Sequence, residues 1–291
     1  NIYDQFPDLQ LILTGSSALE MQTGGRDLSR RALFYRLPGL SFREYLQIRH
    51  GKELPTLAVE ELFSPTCLDF ARQIVASTKP MAHFPDYLNE GYFPYFQEPG
   101  SYTQRLQQTV IQILETDLPA VFPADYAAVR KLKKLLSLIG EMAPFKPNIS
   151  KLADQVGLSR ETLIKYLHYL EQADLIGLLY SSTKGISQMN KPEKVYLANP
   201  NLVRALSNTG QVNKGTLRET FLYSQLNALQ LPISEPSSGD FWLDNHYLIE
   251  VGGPHKKAAQ LQEHPNGFLA IDAIEYPQGR RIPLYLWGFL Y

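Results

Sequence analysis

Apolar residues recur along this chain with two different periods, which separate a helical part from a strand-rich part. Over residues 57–142 the intervals are mostly three and four residues, which is typical of helices that bury one face. Residues 103–118 form the clearest of these segments, and Pro119 is expected to end it. Nearer the start, residues 9–17 predict one buried strand with its exit turn, whereas residues 41–48 predict the beginning of a helix.

Residues 148–180 carry the pattern of a winged helix-turn-helix. A first short helix is capped by Asn148 and ends at Gly157, where a glycine allows the chain to bend sharply. Ser159 caps a second helix. The apolar face of that helix consists of Leu163, Tyr166, Leu167 and Leu170. Residues 175–180 then predict a strand of the wing.

The remainder of the chain alternates short strands with a helix at residues 216–229, which indicates a mixed α/β domain. Strands are predicted at residues 195–197, 241–243, 247–251, 268–271 and 284–287. The second and third of these predict a hairpin with two alternative registers. With a three-residue loop, Asp240 lies opposite Glu250 on one face; with a two-residue turn at Asp244 and Asn245, the two carboxylates point to opposite faces.

Length and composition limit the classes of protein that the chain can represent. A chain of 291 residues predicts two or three domains, and the pattern of strands and helices makes the expected fold class multi-domain α/β. Its formal net charge is -1, so a nucleic acid would have to bind a local patch. Cys67 is the single cysteine, which excludes an internal disulfide and fits a reducing compartment. Because the sequence contains neither a long apolar run nor an export signal, we predict a cytoplasmic protein without a membrane partner.

Several short motifs occur in an order that resembles one family. They are Thr-Gly-Ser-Ser at 14–17, Leu-Ser-Arg-Arg at 28–31, Leu-Ser-Phe-Arg-Glu-Tyr at 40–45, Glu-Thr-Phe at 219–221, Asp-Phe at 240–241 and Ile-Glu-Val at 249–251. With a winged helix between them, this order resembles the prokaryotic AAA-type ATPases joined to the domain of unknown function 4143, and we expect a bacterial member of that family. The resemblance implies four parts. They are a C-terminal remnant of the ATPase core at residues 1–50, a helical region at 51–143, a winged helix-turn-helix at 144–185 and a PD-(D/E)XK, restriction-endonuclease-like domain at 186–291.

The resemblance also implies that the intact protein binds and hydrolyses ATP with Mg²⁺. Thr14 and Ser16 match the sensor strand beside the γ-phosphate, and either Arg30 or Arg31 matches the basic residue that follows it. The chain contains no G-x-x-x-x-G-K-[ST] phosphate-binding loop, so we expect no ATP hydrolysis from this chain itself. A homo-oligomeric state is left open.

In the last domain, the resemblance assigns a nuclease-like site to Glu219, Asp240 and Glu250, with Asp240 and Glu250 as ligands of Mg²⁺. Two carboxylates at one point can hold the ion, which activates water for phosphodiester hydrolysis. Gly252 stands where the motif has a lysine, so a catalytically silent domain is the favoured expectation. The alternative is a Mg²⁺-dependent DNA nuclease in which Lys256 or Lys257 returns to the site.

A second alternative is a DNA-binding regulator that acts through the winged helix. Arg160, Thr162 and Lys165 on its second helix could reach DNA, because such helices contact phosphates and base edges with these residue types. Over residues 148–178, however, three Lys and Arg residues stand against four Asp and Glu residues. A DNA-binding module usually has a basic excess, so packing between domains is the favoured role.

Overall fold

The protein is described by a computed structural model as a mixed α/β chain with helices and two β-sheets. The description covers residues 12, 33, 35–122, 125–181, 191–207, 212–257, 261 and 264–291. The strand predicted at residues 9–17 therefore lies outside the described residues, apart from Ile12. Within the described part, no helix has both the length and the apolar character that are needed to cross a bilayer.

The helices of the first half begin with a strongly capped one. In α1, the Ser41 side chain accepts a hydrogen bond from the backbone N–H of Glu44, and the Glu44 carboxylate accepts one from the backbone N–H of Ser41. This capping box fixes the start of the predicted helix, with Ser41 as its N-cap. The helices up to residue 142 are α1 Phe42–His50, α2 Val59–Leu62, α3 Cys67–Thr78, α4 Pro80–Glu90, α5 Tyr102–Gln112, α6 Leu118–Val121 and α7 Tyr126–Met142, with a 3₁₀-helix at Pro94–Gln97.

Pro119 does not end a helix, contrary to the prediction. A π-helical turn, Ile113–Asp117, follows α5, and Pro119 lies in the first turn of α6. Proline is tolerated there because the first N–H groups of a helix have no intrahelical acceptor. The helical path therefore continues as far as Val121.

The second half contains both sheets. Its helices are α8 Ile149–Val156, α9 Arg160–Gln172, α10 Pro200–Ala205 and α11 Lys214–Ala228. Strands β1 Ile176–Leu179 and β2 Lys194–Leu197 form an antiparallel pair. Strands β3 Ile233–Ser234, β4 Phe241–Leu243, β5 Tyr247–Gly252, β6 Gly267–Ile271 and β7 Arg281–Pro283 form the C-terminal sheet, in that order. Its first two pairings are antiparallel, and the β5–β6 and β6–β7 pairings are parallel.

The prediction of a strand at residues 284–287 is wrong, because Leu284–Phe289 forms a 3₁₀-helix. All six of its residues are buried. A short apolar run that is buried on every side has no polar positions to reveal its period, so helix and strand look alike in the sequence.

Two hydrophobic cores meet at β2, whose alternate residues face opposite ways. Val195 and Leu197 belong to the core of α5–α9 and β1, whereas Tyr196 belongs to the core beneath the C-terminal sheet. The second of these cores also contains Phe42 of α1 and Phe289, whose rings meet edge to face at 6.1 Å. Helix α1 thus packs with the C-terminal sheet. The four-part division of the chain itself stays a prediction.

Candidate functional site

The hairpin of β4 and β5 has the three-residue loop, one of the two registers open from the sequence. Leu243 pairs with Tyr247 and Phe241 with Ile249, and the N–H of Asp240, just before β4, donates to the carbonyl of Ile249 at 2.9 Å. Asp244 and Asn245 turn the chain with φ angles of 52° and 50°, a left-handed conformation that Asp and Asn adopt more readily than most residues. This register brings Asp240 beside β5, close enough to Glu250 for the charge of Glu250 to act on the Asp240 carboxylate.

Glu219 joins them from helix α11. Its Oε1 atom accepts a hydrogen bond of 2.7 Å from the hydroxyl of Tyr196 and forms an ion pair with Lys194. The ammonium of Lys194 also lies 3.8 Å from Oδ1 of Asp240. Lys194 thus links the carboxylate of the helix to the carboxylate at the start of β4.

Opposing electrostatic effects act on the carboxylate of Asp240. Burial and the nearby charge of Glu219 raise its pKa to about 6, although the N–H of Val251 and the ammonium of Lys194 act in the opposite direction. The Val251 N–H donates to Oδ2 of Asp240 at 2.8 Å. Asp240 therefore carries a carboxylate that is costly to ionise, which is a frequent property of functional sites.

Glu250 is the most deeply buried of the three carboxylates, with 3% of its side chain exposed. Its Oε1 atom lies 2.6 Å from the ammonium of Lys256. No described residue donates a hydrogen bond to its Oε2 atom. A buried carboxylate oxygen without a partner is costly, so this atom needs a water, an ion or a ligand.

Lys256 reaches Glu250 because residue 252 has no side chain. A Cβ atom at Gly252 would lie 2.5 Å from Cγ of Lys256 and 2.6 Å from its Cβ. The stem of Lys256 therefore fills the volume that a residue 252 side chain would occupy. The Arg281 guanidinium donates to the carbonyls of Lys256, at 2.9 Å, and Pro254, at 2.6 Å, and so fixes the loop that carries the lysine.

The predicted DNA-binding residues lie on α9, apart from this cluster. Arg160 is exposed at the first position of the helix. The Thr162 N–H donates to the capping hydroxyl of Ser159 at 3.2 Å. Lys165 is exposed, and its ammonium lies 5.6 Å from the centre of the Tyr169 ring. Tyr169 in turn stacks on Phe122, so this part of the helix packs against the protein itself.

The predicted nucleotide-sensing residues lie outside the described residues. They are Thr14, Ser16, Arg30 and Arg31. The structure therefore describes no part of the predicted nucleotide site.

Two residues of the cluster, Lys194 and Tyr196, escaped prediction. Both lie on β2, more than twenty positions before the nearest motif residue in the sequence. The alternation of polar Lys194 and aromatic Tyr196 with apolar Val195 and Leu197 was the available signal, because it indicates a strand with two different environments. Nothing in that alternation identifies Glu219 as the partner.

Two lysines form ion pairs with the carboxylates of the cluster. Within the described part of the chain, no group of three or more His, Cys, Asp and Glu residues is arranged so that it could hold a metal ion. Lys194 and Lys256 instead balance part of the negative charge of the three carboxylates.

Comparison with known proteins finds similarity to a domain family of unknown function and to an uncharacterized protein. Residues 81–213 match the model of a domain of unknown function, DUF8612. The chain is 26% identical over 283 residues to the uncharacterized protein MJ1637 of the archaeon Methanocaldococcus jannaschii. That alignment covers 90% of this chain and 59% of the relative. No solved structure matches the chain.

These matches overturn the family that the short motifs indicated. The matching domain is DUF8612 rather than the domain of unknown function 4143, and the relative is archaeal rather than bacterial. The identification as a bacterial AAA-type ATPase was therefore wrong. Motifs of two to six residues occur by chance far more readily than a match over the 133 residues from 81 to 213.

Proposed function

We propose that the C-terminal sheet carries a site for divalent-cation-dependent hydrolysis of phosphodiester bonds in nucleic acid. The observation that carries the proposal is that Glu219 and Asp240 share Lys194, while Glu250, paired with Lys256, lies close enough for its charge to act on Asp240. Carboxylates are ligands that Mg²⁺ takes in sites of phosphoryl transfer, and ammonium groups favour an anionic backbone.

Two carboxylates would supply only part of the coordination of such an ion, and phosphate oxygens of the substrate and water would supply the rest. Asp240 and Glu250 would hold it, and the unpartnered Oε2 atom of Glu250 is a buried oxygen that lacks a positive partner. A bound divalent cation lowers the pKa of water and stabilises negative charge on the reacting phosphate. The hydrogen bond from the Val251 N–H keeps the carboxylate of Asp240 oriented.

Lys256 removes the main argument for a silent domain. Gly252 stands in place of the motif lysine, and for that reason a silent domain is expected from the sequence. Lys256 fills the volume beside Gly252 and places its ammonium 2.6 Å from Glu250. An ammonium in this position balances the negative charge of Glu250 and favours an anionic substrate nearby.

The proposal includes a finer description of the fold. Residues 149–197 would be a winged helix, supported by the α8–α9 helix pair, the left-handed Gly157 between the helices and the β1–β2 pair. Residues 214–283 would be a restriction-endonuclease-like domain, supported by α11 followed by a mixed sheet with the carboxylates on its central hairpin.

The test is cleavage of plasmid DNA, single-stranded DNA and RNA by the purified chain with Mg²⁺ or Mn²⁺. We expect cleavage that EDTA abolishes and that Asp240→Asn lowers at least about 100-fold, because the ion loses a charged ligand. Asp244→Asn is the matched control, since it removes an exposed carboxylate from the loop of the same hairpin.

Two results would overturn the proposal. Absence of cleavage with either metal on all three substrates would return the domain to the silent state expected from Gly252. Equal cleavage by wild type and Asp240→Asn would identify a contaminating nuclease.

Nucleic-acid binding through α9 is a second candidate function, favoured by the exposure of Arg160 and Lys165 on one helix. Fluorescence anisotropy with a labelled duplex tests it. Replacing both residues by Glu should weaken binding at least about tenfold, because phosphate contacts supply much of the affinity. Charge reversal of the exposed Arg49 and Arg72, on α1 and α3, is the control. Equal losses in both variants would exclude a specific role of α9.

A further inference from the structure

Strand β2 contributes two polar groups to the carboxylate cluster from outside the C-terminal sheet. Lys194 and Tyr196 lie on the same face of the strand, while Val195 between them packs into the other core. Lys194 is paired with Leu179 of β1, so its backbone position is fixed by the β1–β2 pair. The carboxylate cluster is therefore built by both sheets.

The ammonium of Lys194 is held from several sides. It forms an ion pair with Glu219, lies 3.8 Å from Oδ1 of Asp240 and lies 5.4 Å from the centre of the Tyr196 ring. Only 12% of its side chain is exposed. Lysines are rarely buried to this extent unless they are paired, so Lys194 is part of the cluster rather than a surface charge near it.

The two oxygens of Asp240 have different neighbours. Oδ2 accepts the N–H of Val251, whereas Oδ1 is the oxygen that faces Lys194. Glu250 has its own lysine, Lys256, and retains the unpartnered oxygen Oε2. A divalent cation shared by Asp240 and Glu250 would therefore meet the ammonium of Lys194 on the side of Oδ1.

We infer that Lys194 competes with a divalent cation for Oδ1 of Asp240, and that Glu219 retains the lysine when the cation binds. Lys194 is thus a positioning residue that sets the cation affinity of the cluster. Glu219 suits this role because its ion pair with Lys194 is shorter than the contact to Asp240, and because the Tyr196 hydroxyl orients the same Glu219 oxygen. The inference rests on the proposed cation site at Asp240 and Glu250.

The test measures Mn²⁺ binding to the whole chain by titration calorimetry, without any substrate. Lys194→Met keeps most of the aliphatic stem but removes the charge, and we expect its Mn²⁺ dissociation constant to fall roughly tenfold, because a positive charge beside the ion is lost. Lys191→Met removes the charge of an exposed lysine on the same segment and should leave the constant nearly unchanged. Lys194→Arg retains the charge and should bind like wild type.

The direction of the change separates competition from a structural role, because damage to the cluster weakens cation binding or leaves it unchanged. Tighter binding by Lys194→Met supports the inference, even if wild type binds too weakly to cleave nucleic acid. Equal or weaker binding by Lys194→Met than by wild type overturns the inference. The proposed function still stands in that case if wild type binds Mn²⁺ and cleaves nucleic acid. Failure of both proteins to bind overturns both. Should circular dichroism show that Lys194→Met is unfolded, Lys194→Gln carries the same expectation.

Discussion

Lys256 occupies the space that a side chain at residue 252 would need. The Cγ atom of Lys256 lies 2.5 Å from the position of a Cβ atom at Gly252, which is far inside van der Waals contact. The same lysine pairs with the buried Glu250 at 2.6 Å. The glycine and the displaced lysine therefore form one arrangement, in which the missing side chain gives the lysine its path to the carboxylate.

The first prediction concerns Gly252→Ala. The new methyl group must displace Lys256 from Glu250, so we expect a loss of about 1–3 kcal/mol in the free energy of unfolding, as in overpacked sites. Urea unfolding measures it. In a Lys256→Gly background both the Cγ and the Cβ atoms that block this space are gone, and the same substitution should then cost less than about 0.5 kcal/mol. Equal costs in both backgrounds would show that Lys256 does not fill this space.

A second prediction concerns moving the lysine from position 256 to position 252. Lys256→Gly alone leaves the buried Glu250 without its ammonium partner, which should destabilise the fold by roughly 2 kcal/mol, since removing one partner of a buried ion pair is costly. The double variant Gly252→Lys with Lys256→Gly places an ammonium beside the strand again and leaves no Cβ atom at residue 256 to clash with the new side chain. We expect it to recover at least half of that stability in urea unfolding. If the double variant recovers no stability, the ammonium must approach Glu250 from the loop that carries residue 256.

The hairpin register shows how far sequence could determine this site. Asp244 and Asn245 suit a two-residue turn because both residues tolerate left-handed conformations. The same tolerance serves the three-residue loop that the structure has, which closes with the His246 N–H donating to the Leu243 carbonyl at 3.0 Å. Local residue preferences therefore favoured neither register. The pairing is set by how β4 and β5 pack into the rest of the sheet.

Contacts between distant segments were beyond prediction for a related reason. Helices α8 and α9 could be predicted because their caps, Asn148 and Ser159, act within three residues. Lys194 and Glu219 are 25 positions apart, and nothing local to either residue identifies the other. The family assignment failed in a different way, because short motifs were given more weight than their length supports.

The third prediction concerns the hydroxyl of Tyr196. This hydroxyl donates to Glu219, and burial together with the Glu219 charge raises the pKa of Tyr196 well above its usual value, so it remains a donor. Tyr196→Phe should lower the free energy of unfolding by about 1–3 kcal/mol, because a hydrogen bond to a charged group is lost. Tyr126→Phe is the control in urea unfolding, since Tyr126 is 80% exposed. Equal effects would show that the bond to Glu219 contributes nothing to stability.

The fourth prediction concerns the pH dependence of stability at Asp240. Its pKa of about 6 lies above the value of an unfolded aspartate, so the folded protein binds this proton more tightly than the unfolded chain does. The associated stability is fully present below about pH 4 and is lost as the pH rises through about 6.

Asp240→Asn removes this cost of ionisation. At pH 7.5 we expect the variant to be more stable than wild type by about 1–3 kcal/mol in urea unfolding, with the difference narrowing as the pH falls toward 4.5. Asp244→Asn, at an exposed position of the same hairpin, should stay within about 0.5 kcal/mol of wild type across the range. A destabilised Asp240→Asn at pH 7.5 would show that Lys194 and Val251 stabilise the carboxylate by more than burial and Glu219 destabilise it.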